Sequence, residues 1–191
     1  MSRLIVCAAA ALALAAGPAA AHPGHDAAFS LVDGALHPFF GLDHLAAMIA
    51  VGLWSAVASE RADWRWPLAF VAMMALGALL ARTGLVIPLV EPMIAGSLVV
   101  LGLAVMALIR APAAIGAVVV AFFALFHGAA HGAEAPAAAF PAYLAGVLAA
   151  TALLHAAGIA IGRLTSGVAA GLPVRALGGA TAALGLVLFV V

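Results

Sequence analysis

Long apolar runs, separated by short polar or Pro/Gly-containing breaks, dominate this chain, and their lengths predict membrane-spanning helices. After an initial run over residues 4–16, six more lie at 29–58, 66–81, 85–109, 112–130, 140–161 and 174–191. An α-helix needs roughly 20 apolar residues to cross the hydrocarbon core, and each run approaches or exceeds that length. The runs are rich in Ala and Leu and lack two-residue alternation, so helices are expected rather than barrel strands. The expected fold is an all-α polytopic bundle of six spans occupying residues 29–191.

The first run has a different character. Arg3 opens a short positive region, Gly17 and Pro18 break the apolar stretch, and Ala19-Ala20-Ala21 supplies small residues of the kind signal peptidase accepts. Residues 1–21 therefore read as a signal peptide cleaved between Ala21 and His22, leaving 22–28 as a short periplasmic segment. Cys7, the chain's one cysteine, falls in the removed piece. A metal handled by the mature protein would then be held by nitrogen, oxygen or thioether sulfur.

Composition agrees with the pattern and narrows the classes. Hydrophobic residues make up 68% of the 191 and charged ones 7%, against about 25% charged in a typical soluble domain. Too few charges are present to cover a water-soluble surface of this size. The formal net charge is zero and lysine is absent, which argues against a nucleic-acid partner. The partner expected instead is the lipid bilayer. With the mature N-terminus outside, Arg61, Arg65, Arg110, Arg163 and Arg175 all fall on inner connections and only Arg82 outside, as the positive-inside rule prefers. The chain thus reads as a multi-pass protein of a bacterial inner membrane with both mature termini periplasmic. Trp54, Trp64 and Trp66 flank the first inner connection, where indole rings favour the interface. Three small-residue pairs, Gly128/Gly132, Gly158/Gly162 and Gly167/Gly171, suit close helix approach or a homo-oligomer.

Seven histidines stand out in so apolar a chain, because an ionisable group inside a membrane helix is costly unless paired or solvated. His37 and His44 lie seven residues apart on nearly one helical face, yet about 10 Å apart along an unbroken helix. Pro38 and Gly41 between them can break the helix, bring the imidazoles together and free carbonyl groups. Asp43 can ligate an ion or orient an imidazole, and Met48, one turn on, offers a thioether. Each residue also has a structural reading: His37 at the interface, Asp43 as a cap, His44 hydrogen-bonded in the bundle. In the fourth span His127 and His131 are at i and i+4, a spacing from which two imidazoles grip one ion. Glu134 continues that face if the helix persists. Second-rank candidates are His22 and His25 at the mature N-terminus, Glu91 before Pro92, and His155 alone in the fifth span.

His37-x5-Asp43-His44 and Phe126-His127-Gly128-Ala129-Ala130-His131-Gly132, together with the His-Pro-Gly-His start of the mature chain, resemble the HupE/UreJ family over essentially the whole length. That resemblance implies a nickel permease, with cobalt in related members, that supports hydrogenase or urease maturation. It implies His37, Asp43, His44, His127 and His131 as transport-site residues and nickel-enzyme maturation proteins as downstream partners. The ion would be cargo, with no permanent cofactor.

Neutral imidazoles with one or two carboxylates suit Ni²⁺, Co²⁺ or Zn²⁺ better than Mg²⁺. No Walker-type loop is present, so transport would be passive, gradient-driven or powered by a separate subunit. Spans one and four each open a set of three and run in opposite directions, hinting at an inverted repeat. Two further readings stay open: a non-transporting metal-binding accessory protein, and a histidine-dependent membrane enzyme. Against the enzyme, the chain lacks a His-Glu-x-x-His helix, and a non-enzyme is expected.

Overall fold

In the computed structural model, which describes residues 31–58, 63–135 and 137–190, seven α-helices form and no strand does. They are α1 (Leu31–Phe40), α2 (Leu42–Val57), α3 (Arg65–Arg82), α4 (Val90–Met106), α5 (Ala113–Glu134), α6 (Phe140–Thr165) and α7 (Leu172–Val190), with 3₁₀ turns at Ala137–Ala139 and Val168–Gly171. The all-helical class expected from the apolar runs is the class observed. The signal-peptide cleavage site, His22 and His25 fall outside the described residues.

The helices differ from six uninterrupted spans in two places. The first expected span is two helices meeting at Gly41 with a bend of 88°. Gly41 has φ −94° and ψ 109°, an extended residue that stops one helix and starts the next. The third expected span, 85–109, shortens to the 17 residues of α4. Pro88 disfavours helix at the residue before it, Leu89 adopts φ 61°, and Leu108 at the other end adopts φ 52°. Among the described residues, four helices are long and apolar enough to cross a membrane (α3, α5, α6 with its leading turn, and α7), or five if the bent pair α1–α2 is one span. This is a multi-pass membrane protein whose first element turns sharply inside the expected span.

The helices pack mainly in pairs: α3 on α5, α4 on α7, and α2 together with α1 on α6. Exchanging the first three expected spans with the last three turns the α2–α6 pair into α5–α3 and leaves α4–α7 unchanged, the pairing an inverted repeat would give. Small residues set the close crossings. Gly128 and Gly132 lie against the backbone of Met74 and Ala78, and Gly158 against that of Ile49 and Gly52; a Cβ at any of them would collide with a carbonyl group. The third small-residue pair plays no such part. Gly167 faces open space, and Gly171 occupies a turn with φ 76°.

The end of the bundle holding the α2–α3 and α4–α5 connections is pinned by indoles. Trp54 Nε1 donates to the Ile109 carbonyl at 2.9 Å and Trp66 Nε1 to that of Ala113 at 2.8 Å. The two rings stack at a tilt, 4.6 Å apart. Both are buried, whereas Trp64 is half exposed. Trp54 and Trp66 thus satisfy their N–H groups on backbone carbonyls distant in sequence. Nearby, Arg65 donates to both carboxylate oxygens of Asp63 at 2.8 Å, and these bonds hold the Asp63 carboxyl below its ordinary range.

Candidate metal site

The break at Gly41 orders the first half of the site. Asp43, in the first turn of α2, accepts the backbone N–H of His44 at 2.8 Å and lies 3.0 Å from its Nδ1. A carboxylate only accepts, so Nδ1 carries the proton and Nε2 is left with its lone pair. That Nε2 is buried and has no hydrogen-bond partner. Carboxylates orient metal-binding imidazoles in this way, so the geometry gives Asp43 the orienting rather than the ligating contact. A Cβ on Gly41 would come within 2.9 Å of Asp43 Oδ1, so the break also leaves space for this pair.

The second half comes from α5, which continues to Glu134 and so carries His127, His131 and Glu134 on one element. The two imidazoles share His44 as a neighbour, and His131 alone reaches His37 as well. His131 meets the His37 ring at 5.1 Å and the His44 ring at 4.5 Å between centroids. His127 meets His44 at 4.8 Å. One ligand atom from each of His37, His131 and Glu134 lies within 4.8 Å of the others, a grouping able to hold an ion. Within it, His37 Nε2 is 3.0 Å from Glu134 Oε2, with both side chains partly exposed. The i, i+4 pair thus connects an outer group reaching the surface, through His131, with a deeper one in which both rings touch His44.

Ser97 joins the deeper group from α4. Its hydroxyl donates to the Ile94 carbonyl at 2.6 Å and lies 3.0 Å from His127 Nε2. With the hydroxyl proton committed to Ile94, Nε2 is the donor and Nδ1 the bare nitrogen. Nδ1 is buried without a partner, as are both ring nitrogens of His131. His44 and His127 are therefore held by equivalent devices, a carboxylate for one and a hydroxyl for the other, each leaving one ring nitrogen open.

Phe70 on α3 touches the His127 ring at 5.6 Å and the His155 ring at 5.0 Å, so His155 and His127 share an aromatic neighbour. Tyr143 packs edge-on to His37 at 5.6 Å. Glu91 stands exposed in the first turn of α4, and no contact joins it to the histidines among the described residues. Met48 is buried, with its sulfur turned to Thr151. Ser97, Phe70 and Tyr143 carry no motif. Their signal was only that of a buried polar or aromatic residue in an apolar run, too common to single them out.

What the arrangement can do is chemically narrow. Four imidazoles, one orienting and one rim carboxylate, and no thiolate favour a borderline divalent cation. Among known proteins, a family model described as HupE / UreJ protein matches residues 10–188. The chain is 43% identical over 171 residues to Protein HupE of Rhizobium leguminosarum bv. viciae, covering 89% of each. No solved structure matches the fold.

Proposed function

Because the chain belongs to the HupE/UreJ family, we propose that it carries a divalent transition-metal ion across the bacterial inner membrane, with Ni²⁺ as cargo and Co²⁺ the nearest alternative. The observation that carries this reading is the meeting of His37, His44, His127 and His131 inside an apolar bundle, with ring nitrogens of three of them lacking a protein partner. Polar atoms buried in such surroundings are costly unless paired, and a partly dehydrated cation is a partner that neutral imidazoles suit. Nickel is the choice the motif resemblance implies; the ligands accept cobalt and zinc as well.

The ion first meets His37, His131 and Glu134 at the partly exposed rim. Glu134 offsets part of its charge as water is shed. His131 also touches His44, so the ion passes by exchange of one ligand at a time to His44 and His127. Asp43 and Ser97 keep those two rings turned with their open nitrogens ready, which avoids a reorientation step. The pairing of each span with one from the other set is the arrangement of an inverted repeat, with the histidines where the two sets meet.

An accessory protein that stores the ion for a maturation partner would bind it without moving it. Vesicles enclosing a fluorophore quenched by Ni²⁺ separate these roles. The permease reading expects quenching after outside addition of Ni²⁺ to vesicles containing the protein, well above the rate in empty vesicles. Binding without quenching above that background would assign the accessory role.

A further inference from the structure

One turn deeper than His44 along α2 lies a second group of metal-compatible side chains. Thr151 Oγ1 on α6 is 3.3 Å from the Met48 sulfur on α2 and 3.8 Å from the Met74 sulfur on α3. All three residues are fully buried, as is His155, one turn further along α6. Neither ring nitrogen of His155 has a hydrogen-bond partner. Its ring contacts Phe70, which lies one turn from Met74 on α3, so the His155–Phe70 layer sits directly beneath the Thr151–Met74 layer.

The threonine's choice of acceptor is unusual within this chain. The other three threonines each donate to a helix carbonyl: Thr83 to Leu80, Thr165 to Ile161 and Thr181 to Leu177. Thr151 instead faces two thioether sulfurs, which are weak acceptors. Ordinary apolar filling needs neither a hydroxyl between two sulfurs nor an imidazole with two unsatisfied nitrogens next to them. Soft sulfur donors beside a neutral imidazole do match a soft or borderline cation.

We propose that Met48, Met74, Thr151 and His155 form a second, deeper cation station that receives the ion from His44 and His127 through thioether contacts. This rests on the metal-permease reading and extends it: the ion passes from a nitrogen- and oxygen-rich entrance to a sulfur-containing interior. Met48 shares a helical face with His44, four residues away. Met74 lies against Gly128, the neighbour of His127. His44 thus has a sulfur one turn inward, and His127 has one beside it.

X-ray absorption at the nickel edge tests the station by ligand type. The whole protein in detergent, loaded with about two equivalents of Ni²⁺, is compared with a Met48→Leu/Met74→Leu double variant; Leu and Met are of similar volume, so the fold is retained. The expected result is a sulfur shell in the wild type that is lost in the variant. Bound metal should fall by about one equivalent while the nitrogen/oxygen shell remains. A wild-type spectrum with nitrogen and oxygen alone overturns the station and leaves the entrance site standing. A sulfur shell unchanged in the double variant also overturns it, because the sulfur is then elsewhere in the chain. A wild type that binds no nickel overturns the permease reading as well.

Discussion

His44 and His127 each have one ring nitrogen held and the other bare, by Asp43 and Ser97 respectively. Partners of this kind fix the tautomer and direction of a metal-binding ring, and their loss typically costs 10–100-fold in metal affinity. Asp43→Asn and Ser97→Ala should each weaken Ni²⁺ binding by about that range, measured by equilibrium dialysis of the detergent-solubilised protein. An unaltered affinity in both variants would remove the orienting role assigned to them. Asp43 could be singled out from its sequence because it adjoins His44 in a short motif. Ser97 could not, since it reaches His127 from another helix across thirty positions and is one of several hydroxyls in apolar runs.

At the scale of helices, small residues at crossings and the break at Gly41 decide where the imidazoles meet. Gly128 sits beside His127 and against the backbone of Met74, so a larger residue must push α3 from α5. Gly128→Val should destabilise the protein by roughly 1–3 kcal/mol, as overpacking usually does, read as an earlier thermal unfolding transition in detergent. Gly167→Val, where nothing lies within contact distance, is the control and should unfold nearly as the wild type does. The helical class, the element order and a break between His37 and His44 were legible from run lengths and from Gly41, whereas Pro38, read as a second breaker, stays inside α1. The 88° angle of that break was not, because it depends on α1 packing against α6. For the same reason it was hidden that both rings meet His44 while His131 alone reaches His37: i, i+4 spacing fixes a common face but not what each residue meets there. Trp54 and Trp66 could be placed at the first connection by position, but the carbonyls of Ile109 and Ala113 that accept their N–H groups lie too far along the chain to be read from it.

For the whole molecule, the central proposal is a bundle whose polar interior runs from a partly exposed rim toward its centre. A cation entering at the rim competes with protons for imidazole nitrogen. Ligand nitrogens must be unprotonated to bind, so uptake should weaken as the pH is lowered. Initial uptake rates measured from about pH 5.5 to 7.5, with the pH set equal on both sides of the vesicle, check this; rates that rise with acidification would contradict it. The most direct test of the central claim is radiolabelled Ni²⁺ accumulation in proteoliposomes containing only this protein, compared with His44→Ala and His127→Ala. Accumulation well above empty vesicles in the wild type, and loss of most of it in each variant, is the predicted result. Accumulation equal in all three proteins would contradict passage through these histidines, and none above empty vesicles in any would contradict transport by the chain alone.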